Sequence, residues 1–330
     1  MQEKVRPFLF SGIQPSGDVH IGNYCGALRN WVKLFDEYQC IFGIVDYHRM
    51  TANYDPAELP GRVFDAAIAN MAAGLEPGKC TLYVQSHVPE HTELAWILNT
   101  LAPMGLLGRM TQFKEKSRRQ EENINTGLFT YPVLQAADIL LYHAEAVPVG
   151  EDQVQHIEFC RDLARKFNLR FGDYFPEPKA IVPSSGARIM GLDGQAKMSK
   201  SLDNHIGLLE TSEEAWEKLR PAYTDPARKR RSDPGNPLIC NIYTLHECFS
   251  PAEVQEEVAQ GCRNAGIGCI DCKKKLFEHM DAELAPIRER AADLRAHPDR
   301  VTGFLDESAA RAKELAAKTM DDVRSRVGLR

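Results

Sequence analysis

The first half of the chain alternates two hydrophobic periods, and that alternation restricts its fold more than any single residue does. Residues 8–12 read as a short strand ending in Gly12, followed by the turn-forming Gln14, Pro15, Ser16 and Gly17. Leu28, Trp31, Val32 and Phe35 then recur at i, i+3, i+4 and i+7, the spacing of one helix face. A second apolar run occupies residues 41–45, a helix is expected around Val63, Ala67 and Met71, and another strand at 81–84. Residues 146–149, Gly150 and the helical spacing of Ile157, Cys160, Ala164 and Phe167 repeat the unit. Strand, helix and strand in this order predict an α/β fold, a Rossmann-type doubly wound parallel sheet with covering helices.

Beyond about Ser201 the strand signal fades. Leu284, Ile287, Ala291 and Leu294, then Ala312, Leu315 and Val323, read as helices, and residues 228–237 read as a charged, turn-rich loop. The expected division is residues 1–205 as the α/β unit and 206–330 as an all-helical C-terminal domain. No apolar run has the length to span a bilayer, and the opening residues lack a signal-peptide core, which predicts a cytoplasmic protein without a membrane partner. The net charge of -6 weighs against a generic basic nucleic-acid binder, so any RNA must meet local basic patches. Nine cysteines with no export signal argue against a disulfide framework.

Two short motifs carry chemistry. His20-Ile21-Gly22-Asn23 follows the turn after the first strand, where helix N-termini of an open sheet offer N–H donors to phosphates. Gly22 lets a flat base approach the backbone, and His20 can donate to a phosphate oxygen gaining charge. Lys197-Met198-Ser199-Lys200-Ser201 places two lysines around a small flexible segment, suited to neutralising a departing pyrophosphate. Alone, the first is as readily a structural turn, and a lone Lys-x-x-Lys is more often a solvated loop. Together they resemble the paired signatures of class I aminoacyl-tRNA synthetases, which face each other across ATP in that family. Asn23, where many members have a second His, matches the tryptophanyl and tyrosyl branch.

Longer blocks resemble the bacterial tryptophanyl enzymes over nearly the whole chain: residues 10–17, 22–27, 44–48, 109–117, 130–140 and 150–158. The resemblance implies activation of L-tryptophan by ATP with Mg²⁺, transfer to tRNA(Trp), and a homodimer with its interface at about residues 80–125. It implies that Asp138 accepts the indole N–H, that Tyr131 and Gln153 meet the substrate's ammonium and carboxylate, and that His48 lines the same pocket. It places Gln14, Pro15, Ser16, Gly22, Asn23, Gly150, Glu151, Asp152, Ile189 and residues 197–201 on ATP. His20, Lys116, Lys197 and Lys200 become the catalytic set. Gln135 stands where many tryptophanyl enzymes have Met, and Tyr131, Gln135 and Asp138 also resemble the tyrosyl pattern. Tyrosine specificity, and an adenylating nucleotidyltransferase without tRNA, are the alternatives.

Cys240, Cys262, Cys269 and Cys272 form C-x21-C-x6-C-x2-C. Four thiolates suit a [4Fe–4S] cluster or tetrahedral Zn²⁺. The spacing resembles the cluster-bearing subset of bacterial tryptophanyl enzymes, differing by one residue in the long spacer. Cys248 is a substitute ligand, and Cys25, Cys40, Cys80 and Cys160 are expected as core residues. The basic runs 228–231 and 273–275 are expected to reach tRNA phosphates near the anticodon.

Overall fold

The computed structural model describes residues 6–119, 123–182 and 189–329. Among these, five strands form one parallel sheet: β1 (Phe8–Ile13), β2 (Gln39–Ile44), β3 (Thr81–Val84), β4 (Ala146–Pro148) and β5 (Lys179–Ile181). Their spatial order is β3-β2-β1-β4-β5, so the chain winds outward from β1 in one direction and then in the other. Successive side chains point to opposite faces, and both faces are covered. Leu9, Phe42, Leu82 and Ala146 enter one core, while Phe10, Ile41, Tyr83 and Val147 enter the other. That double burial is why the strands read as unbroken apolar runs. β5 escaped the sequence reading: it has three residues at the sheet edge and begins with an exposed Lys179.

The main helices are α1 (Leu59–Ala72), α2 (Glu90–Asn99), α3 (Thr111–Arg119), α4 (Thr126–Leu140) and α5 (Val154–Phe171). The C-terminal part follows with α6 (Ser212–Leu219), α7 (Asn241–Phe249), α8 (Ala252–Arg263), α9 (Cys269–Ala296) and α10 (Pro298–Val327). The helical face expected around Leu28 and Trp31 exists, but its hydrogen bonding changes register. A π-helical turn at Tyr24–Leu28 follows the short helix Ile21–Asn23, and the segment ends in a 3-10 turn at Val32–Leu34. Such turns are frequent beside functional sites.

Helix α10 packs back onto the sheet. Ala309, Ala312, Ala316, Met320 and Val323 join the core that holds Phe10 and Tyr83. The Leu82 amide on edge strand β3 donates to Ser308 Oγ at 3.2 Å, and Thr319 Oγ1 donates to the Leu141 carbonyl at 2.8 Å. A helix thus covers the edge that β3 would otherwise leave open. No helix among the described residues is long and apolar enough to cross a membrane.

Candidate active site

A cavity of about 630 Å³ opens at the carboxyl ends of the strands, where ligands bind in open α/β sheets. Its apolar wall includes Phe10, Val45, Ile139, Val147 and Val149, and its polar groups include Gln14, His48, Lys116, Tyr131, Gln135, Asp138 and Gln153. The ends of β1, β2 and β4 deliver part of the set. Gln14 follows β1, His48 sits in the short helix Asp46–Arg49 after β2, and Gly150 and Gln153 follow β4. Tyr131, Gln135 and Asp138 project from α4 at i, i+4 and i+7, one helix face.

Asp138 is 1% exposed, yet its carboxylate is well supplied with donors. Gln85 Nε2 donates to Oδ1 at 2.7 Å, and His48 Nε2 lies 2.7 Å from Oδ2. His91 Nδ1 also lies 2.7 Å from Oδ1, with its ring off the line of an ideal hydrogen bond. Burial alone would raise the Asp138 pKa; the charges and hydrogen bonds of His91 and His48 outweigh it and hold the carboxyl well below the usual range. The group is therefore an ionised acceptor. Gln85 and His91 are site residues the sequence reading missed.

In the same cavity, the Lys116 ammonium sits 4.2 Å from the centre of the Tyr131 ring. Burial lowers the Lys116 pKa, and the charge of Asp152 opposes that shift. The Tyr131 hydroxyl pairs with His156 Nε2 at 2.9 Å, and burial keeps His156 neutral down to about pH 4. Gln153 Nε2 donates to Asp152 Oδ2 at 2.9 Å; Gly150, Glu151 and Asp152 are exposed, and of these Gly150 lines the cavity.

His20, Gly22 and Asn23 do not line this cavity; they form a second group with residues 189–201. His20 caps the short helix, its Nδ1 accepting from the Asn23 amide at 3.3 Å while Asn23 Oδ1 accepts from the His20 amide at 3.2 Å. The remaining ring proton therefore sits on Nε2. Burial, then the charges of His205 and Lys197, push the His20 pKa down to about 4, so the ring is a neutral donor at pH 7. A Cβ on Gly22 would lie 3.0 Å from His20 Nδ1 and 3.4 Å from Met198 Cβ, so glycine here also serves close packing. Met198 is buried, its amide bonded to the Ile189 carbonyl at 3.0 Å; Lys197 is exposed, and Ser199's amide donates to Asn204 Oδ1 at 2.8 Å. Pro15 is buried and Gln14 and Ser16 are exposed in the turn after β1. The side chain of Ser201 lies outside what is described. The two motifs thus meet, with Lys200 Nζ bonded to Asp18 Oδ2.

The cysteines divide differently from expectation. Cys25 is a core residue, as expected, but it forms a disulfide with Cys248, which is therefore not a spare ligand. Cys40, Cys80 and Cys160 are buried free thiols, as expected. Cys240, Cys262, Cys269 and Cys272 are free and half-buried, yet no group of three or more Cys, His, Asp or Glu among the described residues is arranged to hold a metal ion. The basic run also needs correction. Lys273 is 4% exposed and its ammonium donates to the carbonyls of Arg220 and Ala222 at 2.7 and 2.6 Å, so it faces the protein interior. Lys275 pairs with Glu257, and Arg228 is held by the carbonyls of Asp233, Arg231 and Ile267.

The profile of the family described as tRNA synthetases class I (W and Y) matches residues 2–285. The tryptophan–tRNA ligase of Deinococcus radiodurans is 54% identical over 97% of this chain and 98% of its own. That of Thermotoga maritima is 43% identical over 97% and 99%. The tryptophanyl-tRNA synthetase of Campylobacter jejuni, solved with ADP and tryptophan, superposes with a TM-score of 0.86 at 36% identity, covering 97% of this chain and 99% of that one. With fold, motif pairing and full-length similarity in agreement, the chain belongs to the class I tRNA synthetases of the tryptophanyl and tyrosyl family, among the bacterial tryptophanyl enzymes.

Proposed function

We propose that the protein activates L-tryptophan with ATP and transfers it to tRNA(Trp). The observation that carries this reading is Asp138, an ionised carboxylate at the wall of an apolar cavity with acceptor capacity left on Oδ2. Such a group rewards an indole N–H and rejects rings that leave it unpaired. Tyr131 and Gln153 meet the ammonium and carboxylate, with His48 and Lys116 completing the pocket. The substrate carboxylate attacks the α-phosphorus in line, and positioning with charge stabilisation supplies the rate. Neutral His20 donates from Nε2 to phosphate oxygen; Lys197, Lys200 and Lys116 neutralise the triphosphate. Residues 14–16, 22–23, 150–152, 189 and 197–201 contact ATP, and Mg²⁺ arrives with the nucleotide, sharing its charge.

Tyrosine is the second reading, because Gln135 lines the same cavity one turn from Asp138. Pyrophosphate exchange run separately with tryptophan and tyrosine decides between them, and exchange with neither removes the adenylation reading. Charging of unfractionated tRNA then separates a synthetase from a nucleotidyltransferase that acts without tRNA.

Residues 1–205 carry adenylation in this reading, and residues 206–330 meet tRNA. The active form is a cytoplasmic homodimer joined through about residues 80–125, of which 120–122 lie outside the described part. Trp96 on α2 is 73% exposed and Met104 is 76% exposed, apolar surface that a second copy would cover. Cys240, Cys262, Cys269 and Cys272 hold a [4Fe–4S] cluster, with Zn²⁺ as the alternative. The donor set fits. Burial raises the Cys272 pKa to about 12, and the other three thiols add to that shift, crowding that a bound cationic centre relieves. Brown anaerobically purified protein with stoichiometric iron and sulfide supports the cluster; colourless protein with stoichiometric zinc rejects it.

A further inference from the structure

Behind the cavity lies a polar chain that none of the motifs includes. His91, at the start of α2, is fully buried, and neither it nor Gln85, Tyr83 or Tyr142 lines the cavity. His91 Nδ1 faces Asp138 Oδ1 at 2.7 Å; its Nε2 lies 2.8 Å from the Tyr83 hydroxyl and 3.0 Å from that of Tyr142. Burial raises the pKa of both phenols, so each retains its proton. At 2.7 Å an Nδ1 carrying a proton attracts the Asp138 carboxylate and a bare Nδ1 repels it, although the ring lies off the line of a hydrogen bond. The favourable tautomer therefore carries its proton on Nδ1, with Nε2 accepting from the tyrosine hydroxyls.

We propose that His91 is a positioning residue for substrate discrimination: its Nδ1, set against Oδ1 of Asp138 beside the Gln85 donor, holds the carboxylate so that the free acceptor of Oδ2 meets the indole N–H. The geometry supports the division of labour. Oδ1 accepts from buried Gln85 and faces His91 Nδ1 at the back of the site, whereas among the described residues Oδ2 is met by His48, itself a cavity residue. Without His91 the carboxylate can rotate or share both oxygens with Gln85 and His48, and the acceptor aimed at the ring is no longer fixed. This inference rests on the tryptophan reading and deepens it.

The test compares tryptophan with its benzothiophene analogue, in which sulfur replaces the indole N–H, by pyrophosphate exchange in the full-length protein. His91→Phe keeps a planar ring against Tyr83, with which His91 is stacked. The expected result is a KM for tryptophan raised about tenfold with kcat little changed, and a KM for the analogue that barely moves. His91→Asn, which restores a donor near Nδ1, should recover most of the lost discrimination. Equal losses for both substrates, or unchanged discrimination, would overturn the proposal. If His91→Phe does not fold, the double variant Tyr83→Phe/Tyr142→Phe removes only the hydroxyls that fix the tautomer. It should narrow discrimination several-fold, and an unchanged ratio would count against His91. A wild-type protein that does not distinguish the two substrates would show that the reading of Asp138 itself has failed, and the role of His91 with it.

Discussion

Lys200 Nζ donates to Asp18 Oδ2 across 2.7 Å, joining the 197–201 loop to the turn after β1. The lysine lies over Gly17, whose φ of +149° favours glycine; a Cβ there would come within 2.9 Å of Lys200 Cδ. Both partners of the ion pair are substantially exposed, and exposed pairs contribute little, about 0–1 kcal/mol. Asp18 therefore parks Lys200 beside the nucleotide turn without trapping it. Lys200→Ala should slow pyrophosphate exchange tens-fold or more, equivalent to about 2–3 kcal/mol of transition-state stabilisation. Asp18→Asn should change the rate by less than about threefold, with the difference shrinking at high salt. Equal damage from the two substitutions would mean the ion pair, and not the lysine, is the working unit.

Acid should destabilise the fold through His20 and His156. Burial is the largest cause in both, followed by positive neighbours, His205 and Lys197 for His20 and Lys116 for His156; each pKa falls to about 4. The unfolded residues titrate near 6.5, so between pH 6.5 and 4 the unfolded chain binds protons that the folded chain refuses. The contribution is intact above pH 6.5 and is lost as pH falls through the window, by up to about 1.4 kcal/mol per pH unit for each residue. Urea midpoints at pH 7 and 4.5 measure it. His156→Gln should flatten the pH dependence; a slope identical to that of the wild type would remove His156 from this account.

What the sequence showed, and what it hid, follows from the range of each interaction. β1 to β4 were legible because strands buried on both faces read as apolar runs, and α9 and α10 because their buried positions recur with the helical period. The π-turn at Tyr24–Leu28 left no mark beside the helical face of Leu28, Trp31, Val32 and Phe35, since it changes hydrogen-bond register without disturbing which residues are apolar. Asp138 was found through a resemblance, but its partners lie 53 and 90 residues away in Gln85 and His48. Gln85 immediately follows β3, at the carboxyl edge where the fold places ligands, and that position was a usable signal. His91 had none: a histidine in a helix looks the same whether it faces solvent or a carboxylate.

The basic residues after Cys272 should separate by burial. Lys273→Met removes two charge-assisted hydrogen bonds to carbonyls and leaves those acceptors unpaired inside the protein. The expected loss is about 2–4 kcal/mol of stability, with exchange and aminoacylation declining together as the folded fraction falls. The double variant Arg230→Glu/Lys274→Glu should behave differently. Arg230 is exposed and Lys274 is at the surface of α9, so charge reversal should weaken aminoacylation most at low salt while leaving pyrophosphate exchange within about twofold. Parallel loss of both activities in a stably folded double variant would take this surface away from tRNA.

The disulfide ties the two motifs' side of the molecule to the helical part. Cys25 lies in the π-turn directly after Asn23, and Cys248 lies in α7, 223 residues further along the chain. Other links act at the same junction: the Tyr24 hydroxyl donates to Glu283 Oε1 at 2.8 Å, Arg29 Nε pairs with the same oxygen at 3.3 Å, and Arg29 also donates to the Cys248 carbonyl. A cross-link closing so long a loop removes much freedom from the unfolded chain, about 5 kcal/mol as an upper bound from chain entropy. The neighbouring hydrogen bonds keep the folded junction in place when the bond is reduced, so the effect should fall on stability and leave the adenylation site assembled. Oxidised protein should unfold at a higher urea concentration than protein held in reductant, while exchange rates at low urea agree within about twofold. Cys25→Ser should abolish the difference between the two conditions. A urea midpoint unaffected by reductant, or a Cys25→Ser protein that still responds to it, would show that this pair does not form the stabilising link.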